Sequence, residues 1–316
     1  MIELAASVTL SAAIAAPHLL RLHNAAPATA ALVWLLALAL RALVAVGGAL
    51  FLLIYLPRTE FFQAVADWCL HEILPLFSGH LGVSGHPVVH VAVALPIIAM
   101  TASLCWLLFG MARAWMSVRR TLARTVGEGP LGSTVVADEE IVIAVPSLGR
   151  PRILVSHAAL DVLDGSELLA SLEHERGHLE RRHRPLLVAA SLLAAVARPL
   201  PGTRAAEHGL AFSLERDADE YAVRKTRDPV ALASAICKAL GALPRIGAAL
   251  TGQGRVSARL TYLLERDRAR RRAASEYAAR ALAALLAVLV LSLAASLPAW
   301  AASGPPAQHD ASVCAR

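Results

Sequence analysis

Charged residues are scarce in this sequence. They make up 17% of its 316 residues, while hydrophobic residues make up 57%; a typical soluble domain has about 25% charged residues. The four cysteines are too few for a disulfide scaffold. These shortages exclude an ordinary soluble domain and a disulfide-rich secreted protein, and they indicate a mainly α-helical membrane protein.

Four apolar stretches predict four transmembrane helices. They cover residues 2–20, 31–56, 88–110 and 281–302. We expect the first to be a retained span rather than a signal peptide, because no basic residue precedes its apolar core. The layout therefore has a membrane region, residues 1–110, with a loop at 57–87, then an inserted domain, residues 111–280, then the fourth helix and a tail, residues 303–316.

Arginines flank the third and fourth stretches, whereas the 57–87 loop is slightly acidic. The positive-inside rule then places residues 111–280 in the cytosol, and the N-terminus, the loop and the tail outside the plasma membrane. The net charge is +6, but the arginines adjoin the membrane ends, which favours lipid headgroups over nucleic acid as their partner.

The inserted domain has signals for both strands and helices, so we expect an α+β fold. Residues 139–145 and 152–156 read as a β-hairpin, and residues 127–134 as turn material. Asp164 with Glu167 resembles a capping box, so a helix should start there and end or kink at Pro185. A second charged helix should begin near Phe212.

Two apolar features leave alternatives open. Residues 186–197 are too few to span a bilayer, so they form either a buried core helix or a helix that lies against the membrane. Arg41 falls inside the second stretch. We expect it to snorkel towards the cytoplasmic surface, and a functional role is the alternative.

Residues 170–184, ASLEHERGHLERRHR, contain the pattern HExxH. On a helix, His174 and His178 share one face and can bind one zinc ion. Glu175 adjoins them and is the candidate general base for a metal-bound water. The alternative is a solvated charged helix that matches the pattern by chance.

A catalytic zinc needs a third protein ligand. The segment LERDADE offers Glu215 as that ligand, with Asp219 four residues later to support a histidine from behind. His183 should point away from the metal face, and His208 is expected at the surface. Flanking charge favours cleavage beside the membrane over cleavage within it.

Together, GRPRILVS (149–156), ELLASLEHERGHLERRHR (167–184) and LERDADEYAVR (214–224) resemble the BlaR-type membrane metallopeptidases, gluzincins of β-lactam signalling. The resemblance implies Zn²⁺ bound by His174, His178 and Glu215, Glu175 as the catalytic base and Asp219 behind the ligands. It also implies a protein substrate, a cytosolic transcriptional repressor, and hence a signalling antirepressor.

The chain lacks an S-x-x-K motif, and only fourteen residues follow Ala302. We therefore expect no penicillin-binding domain and no direct β-lactam sensing. The alternatives are an HtpX-type quality-control protease and a non-catalytic membrane receptor. The sequence also leaves open whether the protein forms a homo-oligomer.

Cys69 and Cys314 both fall on the predicted outer side, where disulfides persist. A bond between them would tie the fourth helix to the 57–87 loop. The alternative is two unrelated thiols.

Overall fold

The computed structural model describes residues 2–20, 22–54, 86–138, 141–146, 151–241, 253–264 and 269–303. Cys69 and Cys314 lie outside these ranges, and so does the predicted disulfide. The described part of the chain is mostly helical. Its helices are α1 (Ile2–Leu19), α2 (Pro27–Ile54), α3 (His86–Leu122), α4 (His157–Val162), α5 (Gly165–Glu180), α6 (His183–Val196), α7 (Thr203–Thr226), α8 (Pro229–Gly241), α9 (Gln253–Leu264) and α10 (Ala269–Ser303).

Three of the described helices, α2, α3 and α10, are long and apolar enough to cross a membrane. The qualifying segments are Pro27–Leu52, Ile97–Leu122 and Ala274–Ala299. These agree with a membrane protein. Helix α1 forms over the first predicted stretch but is not among the three, so the four-span layout stays a prediction. The predicted third span ends at Gly110, and helix α3 continues beyond it to Leu122, since residues 111–122 contain no Gly or Pro to stop it.

A small sheet follows α3. Its strands are β1 (Thr125–Glu128), β2 (Thr134–Val136), β3 (Ile143–Ala144) and β4 (Leu154–Ser156), in the order β1-β2-β4-β3. The predicted hairpin is confirmed, since β3 and β4 pair antiparallel. The prediction of turn material alone at 127–134 was wrong. Only a short 3₁₀ turn at Pro130–Gly132 separates β1 from β2, and β2 runs parallel to β4.

The capping box at the start of α5 is confirmed. The Asp164 side chain accepts hydrogen bonds from the Ser166 and Glu167 backbones, and Glu167 accepts one from the Asp164 backbone. The end of this helix differs from the prediction. It stops at Glu180, and Pro185 lies in the first turn of α6, where a missing N–H costs no helical hydrogen bond.

Helix α7 packs along α2, and it begins at Thr203, before the predicted start near Phe212. The two helices approach closely at Gly209, where an added Cβ would lie 2.5 Å from Cε2 of Trp34. Leu38 on α2 and Leu210 on α7 are fully buried in the same apolar cluster. The helix that bears the predicted third ligand is thus held by a candidate span.

Helix α6 packs against α2 and α3 as well as α7. Ala190 and Ala194 are buried in the cluster shared with α2 and α7. The buried-helix interpretation therefore holds for this face, and the candidate span α2 is one of the helices that cover it.

Arg41 does not snorkel, contrary to the prediction. It is 1% exposed, and its guanidinium donates to the carbonyls of Ile14 at 2.8 Å and Ala37 at 3.3 Å. His18 lies 2.8 Å away, and Gly202, in the α6–α7 turn, also lies beside it. Packing of α1 and this turn onto α2 encloses the charge and supplies the hydrogen-bond partners that the surface would otherwise provide.

Candidate metal centre

Helices α5 and α7 bring three predicted ligands together. One ligand atom from each of His174, His178 and Glu215 lies within 4.8 Å of the others. The Nε2 atoms of the two histidines are 3.2 Å apart. Each lies 3.5 Å from a different oxygen of Glu215. These atoms therefore converge on one point, as metal donors must.

Local sequence explains this convergence. Residues four apart share a helix face, which puts His174 and His178 side by side on α5. Gly177 then lets α7 approach, because a Cβ there would lie 3.1 Å from the Cβ of Tyr221. Both histidines are buried, with His174 8% and His178 9% exposed. The alternative of a fully solvated charged helix is therefore wrong for this face.

Asp219 lies behind the ligands, on the same helix as Glu215. It is 0% exposed, and its Oδ1 is 2.9 Å from Nδ1 of His174. A carboxylate in this position orients the imidazole so that Nε2 faces the metal. This is the placement expected for Asp219, although its effect on metal binding stays a prediction.

Arg259 of α9 is a site residue that sequence reasoning missed. It donates two hydrogen bonds to Asp219, at 2.9 and 2.7 Å, and its Nη1 is 2.9 Å from Oε2 of Glu215. The guanidinium thus ties the third ligand to the supporting carboxylate. Nothing in the local sequence distinguishes Arg259 from the other arginines of this basic region.

Glu175 lies at the junction of the helix and the sheet. The backbone N–H of Val145, just beyond β3, donates to its Oε2 at 2.9 Å. Burial raises the pKa of the Glu175 carboxyl to about 7, despite the lowering effect of nearby His174. A carboxylate with such a pKa can both accept and release a proton near neutral pH.

The two histidines differ in protonation when no metal is bound. Burial works to lower the pKa of His174, but its contacts with Asp219 and Glu215 outweigh burial and raise it to about 10. Burial and the nearby His174 lower the pKa of His178 to about 4. A metal ion must therefore displace a proton from His174, since imidazole ligands bind in the neutral form.

Glu215 and Asp219 stay charged. Burial alone would raise the pKa of each carboxyl, but His174 and Arg259 outweigh it and hold both pKa values below the ordinary range. Two neutral imidazoles and a carboxylate are a donor set typical of catalytic zinc. The residues present therefore fit a zinc ion.

His183 lies outside the three-residue ligand group but is not remote from it. Its Nδ1 is 3.0 Å from Nδ1 of His178, and its Nε2 is 3.0 Å from Oδ2 of Asp217. Arg181 also donates to Asp217, at 2.6 Å. His178 thus has its own support, which sequence reasoning missed. His208 is exposed, as expected.

Two cavities meet at the candidate metal ligands and form one groove. The first, of about 360 Å³, is lined by Ile141–Ile143 and by residues of α8 and α9 that include Arg259. The second, of about 310 Å³, is lined by Ala144 and Val145 and by residues of α3 and α6. Both share His174, Glu175 and Glu215. An extended chain lying along β3 would therefore cross this centre.

Comparisons of this chain with protein-family models, with curated proteins and with solved structures give no match.

Proposed function

We propose that this protein is a membrane-bound, zinc-dependent endopeptidase. The observation that carries the proposal is the convergence of His174, His178 and Glu215 beside the buried carboxylate of Glu175. Side chains of this kind at this spacing support metal-assisted hydrolysis of an amide bond. A zinc ion held there would polarise the scissile carbonyl and acidify the attacking water.

Glu175 is the base in this proposal. It takes a proton from the attacking water and passes it to the leaving amine, a transfer that contributes typically 10²–10⁴-fold to rate. The Val145 N–H occupies Oε2, which leaves Oε1 for the water. Asp219 and Arg259 act through the ligands: they hold His174 and Glu215 in place.

The substrate is a polypeptide bound in extended form. Among the described strands β3 pairs only with β4, so its other edge is open to an added strand. We place the metal centre on the cytosolic side of the plasma membrane, because basic residues follow the apolar part of α3 and precede the apolar part of α10. The described residues carry no feature specific for a transcriptional repressor, so the proposal covers the reaction and the binding mode.

The test uses the full chain in lipid nanodiscs, with zinc measured by elemental mass spectrometry and cleavage measured on a denatured protein substrate. We expect about one zinc per chain. Glu175→Gln should keep the zinc and lose at least about 100-fold in turnover. Glu180→Gln, an exposed change on the same helix, is the matched control.

Two results would overturn the proposal. One is unchanged turnover in Glu175→Gln. The other is full zinc retention in both His174→Ala and Glu215→Ala. A non-catalytic receptor would show neither cleavage nor any effect of Glu175→Gln.

A further inference from the structure

The second half of the groove, which we call the α3-side cavity, is bounded by a candidate membrane span. Leu107, Met111 and Ala114 of α3 form one wall, and Leu187 and Val188 of α6 contribute to another. The three α3 residues recur at helical spacing, so they form a single stripe. They lie inside the segment Ile97–Leu122, which is long and apolar enough to cross a membrane.

Other faces of α3 are apolar and exposed. Trp106 is 70%, Leu108 52% and Phe109 56% exposed. Adjacent exposed residues of this size are typical of a surface that contacts lipid. One face of α3 thus lines the α3-side cavity, and the neighbouring faces of the same helix are apolar enough to contact the bilayer.

Strand β3 leads a paired substrate to the α3 wall of the cavity. Ile141–Ile143 line the first cavity, whereas Ala144 and Val145 line the α3-side cavity. A strand rises about 3.3 Å per residue, so a short peptide paired along these residues enters both cavities. The residues on one side of the cleaved bond must then lie against Leu107, Met111 and Ala114.

We infer that the substrates are polypeptides anchored in the same membrane and cut close to their anchor, with an apolar side chain in the α3-side cavity. This inference rests on the proposed peptidase function and specifies its substrate class. It differs from the soluble repressor that the sequence resemblance implies. A chain that leaves the bilayer beside α3 reaches Glu175 directly, with its apolar residues already next to an apolar wall.

Three substrates with one cleavable sequence test the inference in proteoliposomes that contain the full chain. The first joins the sequence directly to a transmembrane anchor. The second has the same anchor and a 30-residue Gly/Ser spacer, a length on the order of 30 Å. The third is soluble. Because both anchored forms share the same membrane concentration, their comparison removes the effect of tethering alone.

We expect cleavage of the directly joined substrate to be about tenfold faster than cleavage of the spaced one. Ala114→Trp fills the α3-side cavity and should remove this advantage. Ala112→Trp is the matched control, since Ala112 is exposed on the same helix but does not line the cavity. Zinc content of each variant shows that the metal centre has formed.

Binding is measured separately with Glu175→Gln and a photoreactive leucine placed next to the anchor. The expected cross-link is to Leu107 or Met111. Cross-links only to the first cavity would overturn the inference, whether or not any cleavage occurs. Equal cleavage of all three substrates would also overturn the inferred substrate class, but it would leave the peptidase proposal standing. If the zinc-loaded protein cleaved none of the substrates, the result would count against the peptidase proposal.

Discussion

Arg259 donates two parallel hydrogen bonds to Asp219, from Nε to Oδ2 at 2.9 Å and from Nη2 to Oδ1 at 2.7 Å. The third nitrogen, Nη1, lies 2.9 Å from Oε2 of Glu215. Helix α9 thereby fixes two carboxylates of α7 with one planar group. Glu215 and Asp219 consequently have this support only when α9 is docked.

Replacing Arg259 should weaken zinc binding. Arg259→Met removes the group that orients Glu215 and Asp219, and the loss of a supporting group typically costs 10–100-fold in metal affinity. Arg259→Lys should be intermediate, since an ammonium lacks the fork of a guanidinium. Affinity is measured by competition with a chromophoric zinc chelator. Arg224→Met, at an exposed position on α7, is the control, and equal affinity in Arg259→Met would refute this role.

The support behind His178 should matter in a similar way. Asp217 accepts from His183, and His183 contacts Nδ1 of His178. In this row, donation from Nε2 of His183 to Asp217 leaves Nδ1 of His183 to accept from Nδ1 of His178, so that Nε2 of His178 faces the metal without a proton. Asp217→Asn should therefore lower zinc affinity by about 10-fold. The same chelator assay applies, with Asp228→Asn in the loop after α7 as the comparison; a wild-type affinity would show that the row is only structural.

The sequence predicts the ligands better than their supports. The pair His174 and His178 and the pair Glu215 and Asp219 each follow from helical spacing, which is a local property. The Arg259 contacts depend on how α9 packs on α7, and the His183–His178 contact depends on the turn between α5 and α6; helical spacing encodes neither. The same reason explains Arg41: its burial depends on how α1 folds back on α2 and on the α6–α7 turn, which is distant along the chain.

The short strands show a related limit. Residues 125–136 contain several glycines and a proline, and these suggest turns when read alone. The residues around the turn form strands because β2 pairs with β4. That pairing joins residues about twenty positions apart. The β3–β4 hairpin was predictable because its two strands are close in sequence and rich in β-branched residues.

Arg41 should contribute to stability rather than to catalysis. Its guanidinium binds the Ile14 carbonyl and lies against His18, so Arg41→Met should detach α1 and destabilise the fold by about 1–3 kcal/mol. Thermal unfolding in detergent measures this loss. Arg280→Met is the control, because Arg280 forms an exposed pair with Glu276 worth less than about 1 kcal/mol. An Arg41→Met protein with normal stability and impaired turnover would reverse the interpretation.

Glu167, in the first turn of α5, should make the free energy of unfolding depend on pH. Glu167 is 3% exposed and accepts hydrogen bonds from Lys238 and Ser234 of α8, each at 2.6 Å. The Lys238 ammonium, then Ser234 and the Asp164 N–H, hold the pKa of the Glu167 carboxyl below its ordinary value of 4.5. A depressed carboxyl pKa stabilises the fold above that ordinary value, and the stabilisation is lost as pH falls through the folded-state pKa.

Lys238→Met should therefore destabilise the protein at pH 7 and have a smaller effect in acid. We expect about 1 kcal/mol at neutral pH, since the Lys238 side chain is 38% exposed and water screens the pair. Denaturant unfolding at pH 7 and at a pH below the Glu167 transition measures the difference. Lys225→Met, at an exposed position on α7, should show no such dependence. A Lys238→Met effect of equal size at both pH values would mean that packing of the lysine stem, and not its charge, holds α8 against α5.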